Sequence, residues 1–167
     1  MKVKIRAWDK NDKQPLLQLI NNKKIWDNVL DRLPYPYTEK DADEWLKLNV
    51  GITPVLNFVI EADGKFAGSI GMMPGKDVHR HSWEIGYWLG EPFWNKGIIT
   101  QAIHQAELHI WKSHPSVTRI FAKVFEHNNA SMRALEKNGF QLEAVHKKAV
   151  LKNNILLDEY VWVKFRL

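Results

Sequence analysis

The chain has 167 residues, of which 45% are hydrophobic and 26% charged, and this is typical of one globular domain covering residues 1–167. It has no cysteine, which excludes disulfides, thiolate catalysis and cysteine-ligated zinc. The net charge is +5, but acidic and basic residues are interspersed, and the longest basic runs are the pairs Lys23–Lys24 and Lys147–Lys148. This distribution favours a solvated surface over a nucleic-acid-binding stripe.

The N-terminal stretch MKVKIRAWDKND alternates charged and apolar residues and lacks the apolar segment of a signal peptide. No apolar run of the sequence approaches the roughly 18 residues that a membrane span requires. We therefore expect a cytoplasmic protein without a membrane partner.

The first half of the chain predicts a strand, two helices and a hairpin. The sequence VKIRAW alternates as a strand does, and Asp12 is placed to cap a helix that has Pro15 in its first turn. The segment LPYPYTEKDADEWL predicts a loop and then a second helix, which begins at a capping box of Thr38 and Asp41. In NFVIEADGKFAGSIGMM, the pair Asp63–Gly64 suits the type I′ turn of a hairpin.

The second half predicts strands that alternate with two helices. HSWEIGYWL and VTRIFAKVF are typical strands, and TQAIHQAELHI repeats apolar residues at helical spacing. NNASMRALEKNGF predicts a short helix with Asn128 at its start and Gly139 just past its end. Two closing strands are expected at about 141–150 and 155–166. The order β-α-α-β-β-β-α-β-α-β-β indicates an α/β (α+β) fold with a largely antiparallel sheet.

The turn WNKGIITQAI, residues 94–103, connects a predicted strand to a predicted helix. Backbone N–H groups from about Asn95 to Thr100 point outward at such a helix start and suit a diphosphate, with Lys96 adding charge. The stretch contains neither the Gly-Lys-Ser/Thr triple of a Walker loop nor the three glycines of a dinucleotide fingerprint. Taken alone, it is equally compatible with an ordinary strand-to-helix connection.

A second segment whose residues suit a role in catalysis is HNNASMRALEKNGF. Asn128 is placed to cap this helix, and Ser131 falls in its first turn, where a hydroxyl experiences positive potential. Such a hydroxyl can donate a hydrogen bond to a developing anion. A purely structural cap remains the alternative.

Together, LPYPYTEKDADEWL, WEIGYWLGEPFWNKGIITQAI and NNASMRALEKNGF resemble, in order and spacing, the GNAT family of N-acetyltransferases. The resemblance is to its bacterial branch of ribosomal-protein N-terminal acetyltransferases (RimJ/RimL-like) and covers essentially the whole chain. It implies a mixed, mostly antiparallel twisted sheet that is splayed in the middle and flanked by helices. It also implies acetyl-CoA as co-substrate, no metal, and direct transfer of an acetyl group to a primary amine.

The resemblance also implies which residues bind acetyl-CoA. Main-chain groups at the end of the strand bind the pantetheine arm, the following turn binds the pyrophosphate, and the second helix start binds the pantetheine or its thiolate. These cofactor-binding residues are Trp88, Leu89 and Gly90, then Trp94, Asn95, Lys96, Gly97, Ile98, Ile99 and Thr100, then Asn128 and Ser131. Trp94 stands where the family has Gln or Arg, and Ile99 where it has a small residue. The Ile99 side chain either crowds the pyrophosphate or points into the core.

For catalysis, we expect Glu84 to accept the proton of the substrate ammonium, directly or through a water molecule, and the hydroxyl of Ser131 to donate to the departing thiolate. An edge carboxylate in a hydrogen-bond network is the alternative for Glu84. Tyr35 and Tyr37 are expected to wall the acceptor site, together with Glu84. The acceptor, a protein N-terminus or a polyamine-like or antibiotic-like small molecule, stays open, as does the choice between monomer and homodimer.

Other polar features carry weaker hypotheses. His79 and His81 on a strand, and His104 and His109 on a helix, lack a third ligand at metal spacing. The acidic residues at the start of the second helix satisfy its dipole, or alternatively attract a cationic acceptor.

Two alternative functions are a coenzyme A-binding regulatory module without turnover and a basic nucleic-acid-binding domain.

Overall fold

A computed structural model describes residues 1–166 of the chain. Seven strands form one mixed sheet in the order β1-β2-β3-β4-β5-β7-β6. The β4–β5 pair is parallel, whereas the β1–β2, β2–β3, β5–β7 and β6–β7 pairs are antiparallel. The strands are β1 Val3–Arg6, β2 Asn57–Ala62, β3 Lys65–Met73, β4 Ser82–Leu89, β5 Arg119–Phe125, β6 Gln141–Lys152 and β7 Ile155–Phe165. The helices are α1 Lys13–Ile20, α2 Lys23–Trp26, α3 Glu39–Asn49, α4 Ile98–Ser113 and α5 Asn129–Lys137.

The parallel pairing of β4 with β5 is short. It consists of three residue pairs and ends at Glu84 opposite Phe121, although β5 continues to Phe125. This early end of the pairing agrees with the splayed sheet that the family resemblance implies. The expected mixed, mostly antiparallel α/β fold is confirmed.

The chain divides into two compact units. The first contains residues Met1–Gly71 and Tyr87–Ile98, and the second contains Met72–Gly86 and the chain from Ile99 onward. That residues 1–167 act as one domain therefore stays a prediction. No helix within residues 1–166 is long and apolar enough to span a membrane, and the cytoplasmic location also stays a prediction.

The first unit packs α1 and α3 against the β1–β3 part of the sheet. Each helix places two buried residues four positions apart on one face, as an amphipathic helix requires. Aromatic residues fill the same core, where Trp8 lies edge-on to Trp45 at 5.7 Å between ring centroids. The buried cluster comprises Trp8, Leu16, Ile20, Tyr37, Ala42, Leu46, Val59 and Phe66.

Two helix starts in this unit show how far cap prediction succeeds. Thr38 caps α3 as expected, because its hydroxyl accepts from Asp41 N while the Asp41 carboxylate accepts from Thr38 N. The prediction that the Asp12 side chain caps α1 is wrong, since Asp12 occupies the N-cap position without a capping hydrogen bond. Its carboxylate instead accepts two hydrogen bonds from Arg6, at 2.7 and 2.8 Å, and one from Asp9 N.

The predicted hairpin turn is confirmed, whereas several short elements were not predicted. Asp63 and Gly64 have φ values of 48° and 78°, so both adopt the left-handed conformation of a type I′ turn, as predicted. Sequence reasoning missed α2, a single four-residue turn that Asn22 caps through Lys24 N. It also missed three short 3-10 helices: Lys10–Asp12, Asp77–His79 and Glu91–Phe93.

The second unit is built around α4, whose apolar stripe of Ala102, Ile103, Ala106 and Ile110 is fully buried. Glu107 is also buried on α4, and the ammonium of Lys164 on β7 pairs with it. The same ammonium lies 5.3 Å from the ring centroid of Trp111, so its charge is shared between a carboxylate and an aromatic face.

Candidate cofactor site

The turn from Trp94 to Ile98 links the 3-10 helix Glu91–Phe93 to the start of α4. Asn95 and Gly97 both have left-handed backbones, with φ values of 58° and 70°. Asparagine and glycine are the residues that tolerate this conformation best, so the sequence explains the shape of the turn. Within residues 1–166, nothing accepts a hydrogen bond from the backbone N–H of Asn95 or Gly97.

Unpaired N–H groups continue into the helix itself. The first N–H groups of an α-helix have no intrahelical acceptor, and α4 is 16 residues long, so its dipole favours negative charge at this end. Lys96 is exposed at the turn, and its ammonium donates to Pro92 O at 2.7 Å. The turn therefore combines unpaired donors, a helix N-terminus and one positive side chain, which is a suitable environment for an anion.

Side chains around the turn are mostly engaged in holding its shape. The indole Nε1 of Trp94 donates to Leu89 O at 2.6 Å, and Trp94 N donates to Glu91 O at 3.1 Å. Ile98, the first residue of α4, is 1% exposed and anchors the helix start in the core, whereas Ile99 is half-buried. Trp94 therefore has a structural role at the position where the family has Gln or Arg.

The end of β4 carries the main-chain groups expected to bind pantetheine. Leu89 O already accepts from Trp94, but a carbonyl has a second lone pair and can accept once more. Gly90 N donates to Ala67 O at 2.8 Å and has no further proton to offer, whereas Gly90 O accepts from Phe93 N at 2.9 Å. A ligand can therefore use only the second lone pair of the Gly90 carbonyl. Trp88 O lies so close to Gly68 that a Cβ on Gly68 would be 2.2 Å from it, which fixes glycine at that position of β3.

The two catalytic candidates lie in the second unit. Glu84 is half-buried on β4, opposite Phe121 of β5, and it makes a polar interaction within the protein. Ser131 is the third residue of α5 and is also half-buried, and its backbone N donates to Asn128 Oδ1 at 3.2 Å. The predicted cap by Asn128 is confirmed. The catalytic roles of Glu84 and Ser131, and the contact of Asn128 and Thr100 with the cofactor, stay predictions.

Tyr35 and Tyr37, the expected acceptor residues, differ in exposure. Tyr35 is 43% exposed and stacks on Trp26 with ring centroids 5.6 Å apart. Tyr37 is 8% exposed, its hydroxyl donates to Asp41 O, and burial raises the pKa of its phenol to about 12. Tyr35 is therefore accessible at the surface, whereas Tyr37 belongs to the buried cluster of the first unit, and the role of both residues in acceptor binding stays a prediction. Among residues 1–166, no cluster of three or more His, Asp or Glu side chains is arranged to hold a metal ion.

Comparison with known proteins gives a consistent family match. A model of the acetyltransferase (GNAT) domain matches residues 2–141. The ribosomal-protein-serine acetyltransferase of Escherichia coli (strain K12) is 28% identical over 166 residues, which cover 97% of this chain and 92% of that protein. The uncharacterized N-acetyltransferase YnaD of Bacillus subtilis (strain 168) is 29% identical over 160 residues, covering 95% of this chain and 90% of that protein.

Solved structures share the fold. A ribosomal alpha-N-protein acetyltransferase, RimL, in complex with coenzyme A superposes with a TM-score of 0.85 at 23% identity, covering 99% of this chain and 94% of that one. The microcin self-immunity acetyltransferase MccE, in complex with acetyl-CoA and AMP, superposes with a TM-score of 0.82 at 23% identity, covering 99% and 93%. At these identities the structures demonstrate a common fold.

Proposed function

Because the chain belongs to the acetyltransferase (GNAT) family, we propose that it transfers the acetyl group of acetyl-CoA to a primary amine in a ternary complex. The observation that carries this proposal is the turn from Trp94 to Ile98. Its N–H groups at Asn95 and Gly97 have no acceptor within residues 1–166, and the coenzyme A diphosphate supplies the acceptors that they need. The coenzyme A and acetyl-CoA bound to two proteins of the same fold support this choice of ligand.

The reaction requires three proton or charge movements. An alkyl ammonium is not a nucleophile, so Glu84 accepts its proton, directly or through a water molecule. The free amine then attacks the thioester carbonyl, and main-chain N–H groups stabilise the negative oxygen of the tetrahedral intermediate. As this intermediate collapses, the carbon–sulfur bond breaks, and the hydroxyl of Ser131 donates a hydrogen bond to the departing thiolate. The attacking nitrogen, which is positively charged after the attack, releases its second proton to that sulfur. The products are the N-acetylated amine and coenzyme A, without a covalent enzyme intermediate.

The relatives support two kinds of amine acceptor. The relative from Escherichia coli is named for acetylating a serine of ribosomal proteins, which supports a protein N-terminus as acceptor here. MccE, a self-immunity acetyltransferase of the same fold, supports an antibiotic-like small molecule instead. The exposed ring of Tyr35, stacked on Trp26, offers an apolar surface to either kind of acceptor.

Thermal unfolding with and without acetyl-CoA tests the proposal, with ATP and NADPH as phosphate-bearing controls. A ligand present at 100 times its dissociation constant adds about 2.7 kcal/mol to the free energy of unfolding, and the unfolding midpoint rises accordingly. A rise specific to acetyl-CoA is expected. It should be followed by an acceptor screen that measures released thiol against N-terminal peptides and small amines. No rise, or an equal rise with all three ligands, would contradict the assignment.

A further inference from the structure

The 3-10 helix Glu91–Phe93 lies next to α1 and α2 but packs against them incompletely. An open cavity of about 370 Å³ separates the two regions, and it is lined by Gln18, Leu19, Asn21, Asn22, Glu91 and Pro92. Beside this cavity, Gly90 lies close to Leu19 of α1, since a Cβ on Gly90 would be 3.0 Å from the Leu19 side chain. Because a cavity separates the two regions, the polar contacts that span it have more influence on the position of the 3-10 helix.

Glu91 makes the polar contacts that span this gap. One carboxylate oxygen accepts from the side-chain amide of Asn22 at 2.6 Å, and the other pairs with the ammonium of Lys24. Asn22 is fixed in turn, because its Oδ1 caps α2 by accepting from Lys24 N at 2.9 Å. The pairing with Lys24, and then the hydrogen bond from Asn22, hold the pKa of Glu91 below its usual value, so the carboxylate is charged at neutral pH.

The backbone of Glu91 connects these contacts to the turn. Glu91 O accepts from Trp94 N, and the carbonyl of the next residue, Pro92, accepts from the ammonium of Lys96. The residue that is tied to α2 by its side chain is thus tied by its main chain to the start of the anion-binding turn. On the other side, α2 ends at Trp26, on which Tyr35 stacks.

We propose that Glu91 is a positioning residue for cofactor binding, which fixes the turn from Trp94 to Ile98 by holding its entry to Asn22 and Lys24. This inference rests on the proposed function, since it concerns the same turn. It assigns Glu91 no contact with acetyl-CoA. Loss of the contact leaves the fold intact but lets the unpaired N–H groups of the turn lose their alignment, and so the affinity for acetyl-CoA falls.

The test is isothermal titration of acetyl-CoA into the full-length wild type, Glu91→Gln, Lys24→Met and the double variant. Glu91→Gln keeps the shape of the side chain and an acceptor for Asn22 but removes the charge. We expect each single variant to raise the dissociation constant about five-fold, and the double variant to bind no more weakly than the weaker single variant, because both remove one interaction. Asp43→Asn is the matched control, because it removes a carboxylate that pairs with Lys13 elsewhere in the same unit.

The outcomes separate this inference from the function on which it rests. If the wild type does not bind acetyl-CoA, both the proposed function and the role of Glu91 are wrong. If the wild type binds and Glu91→Gln binds equally well, or if the two single effects add in the double variant, only the positioning role is wrong. If Glu91 only stabilised the fold, its substitution would lower the unfolding midpoint without changing the dissociation constant of acetyl-CoA. If Glu91→Gln does not fold, Lys24→Met tests the same contact, because Lys24 is exposed and its substitution should leave the fold intact.

Discussion

Gly97 offers the sharpest test of the anion-binding turn, because its substitution by alanine changes the backbone without creating a clash. Its φ is 70°, and an added Cβ would meet no atom within 4 Å. The cost of Gly97→Ala in the free protein is therefore the strain of a left-handed alanine, about 1–2 kcal/mol. For a chain of this size, each kcal/mol lowers the unfolding midpoint by about 2–4 °C. We expect a folded variant with a midpoint about 2–8 °C lower.

The effect on binding should exceed this loss of stability. An alanine that relaxes toward negative φ turns the neighbouring N–H groups away from the diphosphate. A hydrogen bond to a charged group contributes about 1.5–3 kcal/mol, and 1.4 kcal/mol corresponds to a factor of ten in affinity. Losing the alignment of one N–H thus raises the dissociation constant of acetyl-CoA about ten- to hundred-fold, which isothermal titration would measure.

Gly64→Ala is a matched control for this substitution. Gly64 lies in the hairpin turn of the same unit, has a φ of 78° and is also surrounded by open space. The two variants should lose similar stability, but only Gly97→Ala should lose affinity for acetyl-CoA. Equal dissociation constants for the two variants would show that the turn does not bind the cofactor, and the reasoning from unpaired N–H groups would be wrong.

Three further predictions address catalysis and stability. Glu84→Gln or Ser131→Ala should lower turnover at least about ten-fold, with acetyl-CoA affinity unchanged, and unchanged turnover in both would refute their catalytic roles. Thr38→Ala removes the cap of α3 and should cost about 1 kcal/mol in denaturant unfolding, without affecting acetyl-CoA binding. Arg6 lowers the pKa of Glu61 below its ordinary value of 4.5, so the stabilisation is present above about pH 4.5 and is lost as the pH falls through the lower folded-state pKa. Glu61→Gln should therefore flatten the acid limb of a stability-against-pH curve, and an unchanged limb would contradict this.

The elements that sequence predicts well are those with local causes. The buried stripe of α4, the capping box at Thr38 and the Asp63–Gly64 turn each follow from periodicity or from residues within four positions of one another. The family resemblance and the class of N-acetyltransferase enzyme are likewise confirmed, because the matching motifs extend over most of the chain.

The misses involve features that periodicity and local spacing do not indicate. Asp12 does not cap α1 because Arg6, on the neighbouring strand β1, binds its carboxylate more strongly than a backbone N–H could. Helix α2 is a single turn of four residues, too short for any periodicity to appear. The burial of Tyr37, two residues from the exposed Tyr35, depends on its packing in one cluster with Trp8, which spacing along the chain does not encode.

The departures of the turn from the family pattern are compatible with the proposed anion binding, because the proposal depends on main-chain atoms. A side-chain motif fails when its side chains change, but main-chain donors depend only on backbone conformation. Here Asn95 and Gly97 supply the left-handed residues, and Trp94 holds the turn to Leu89 O through its indole N–H, a hydrogen bond that any long donor side chain can replace. The position of Trp94 therefore tolerates a change of residue type, whereas the position of Gly97 does not, and the glycine identifies such a turn better than the residues around it.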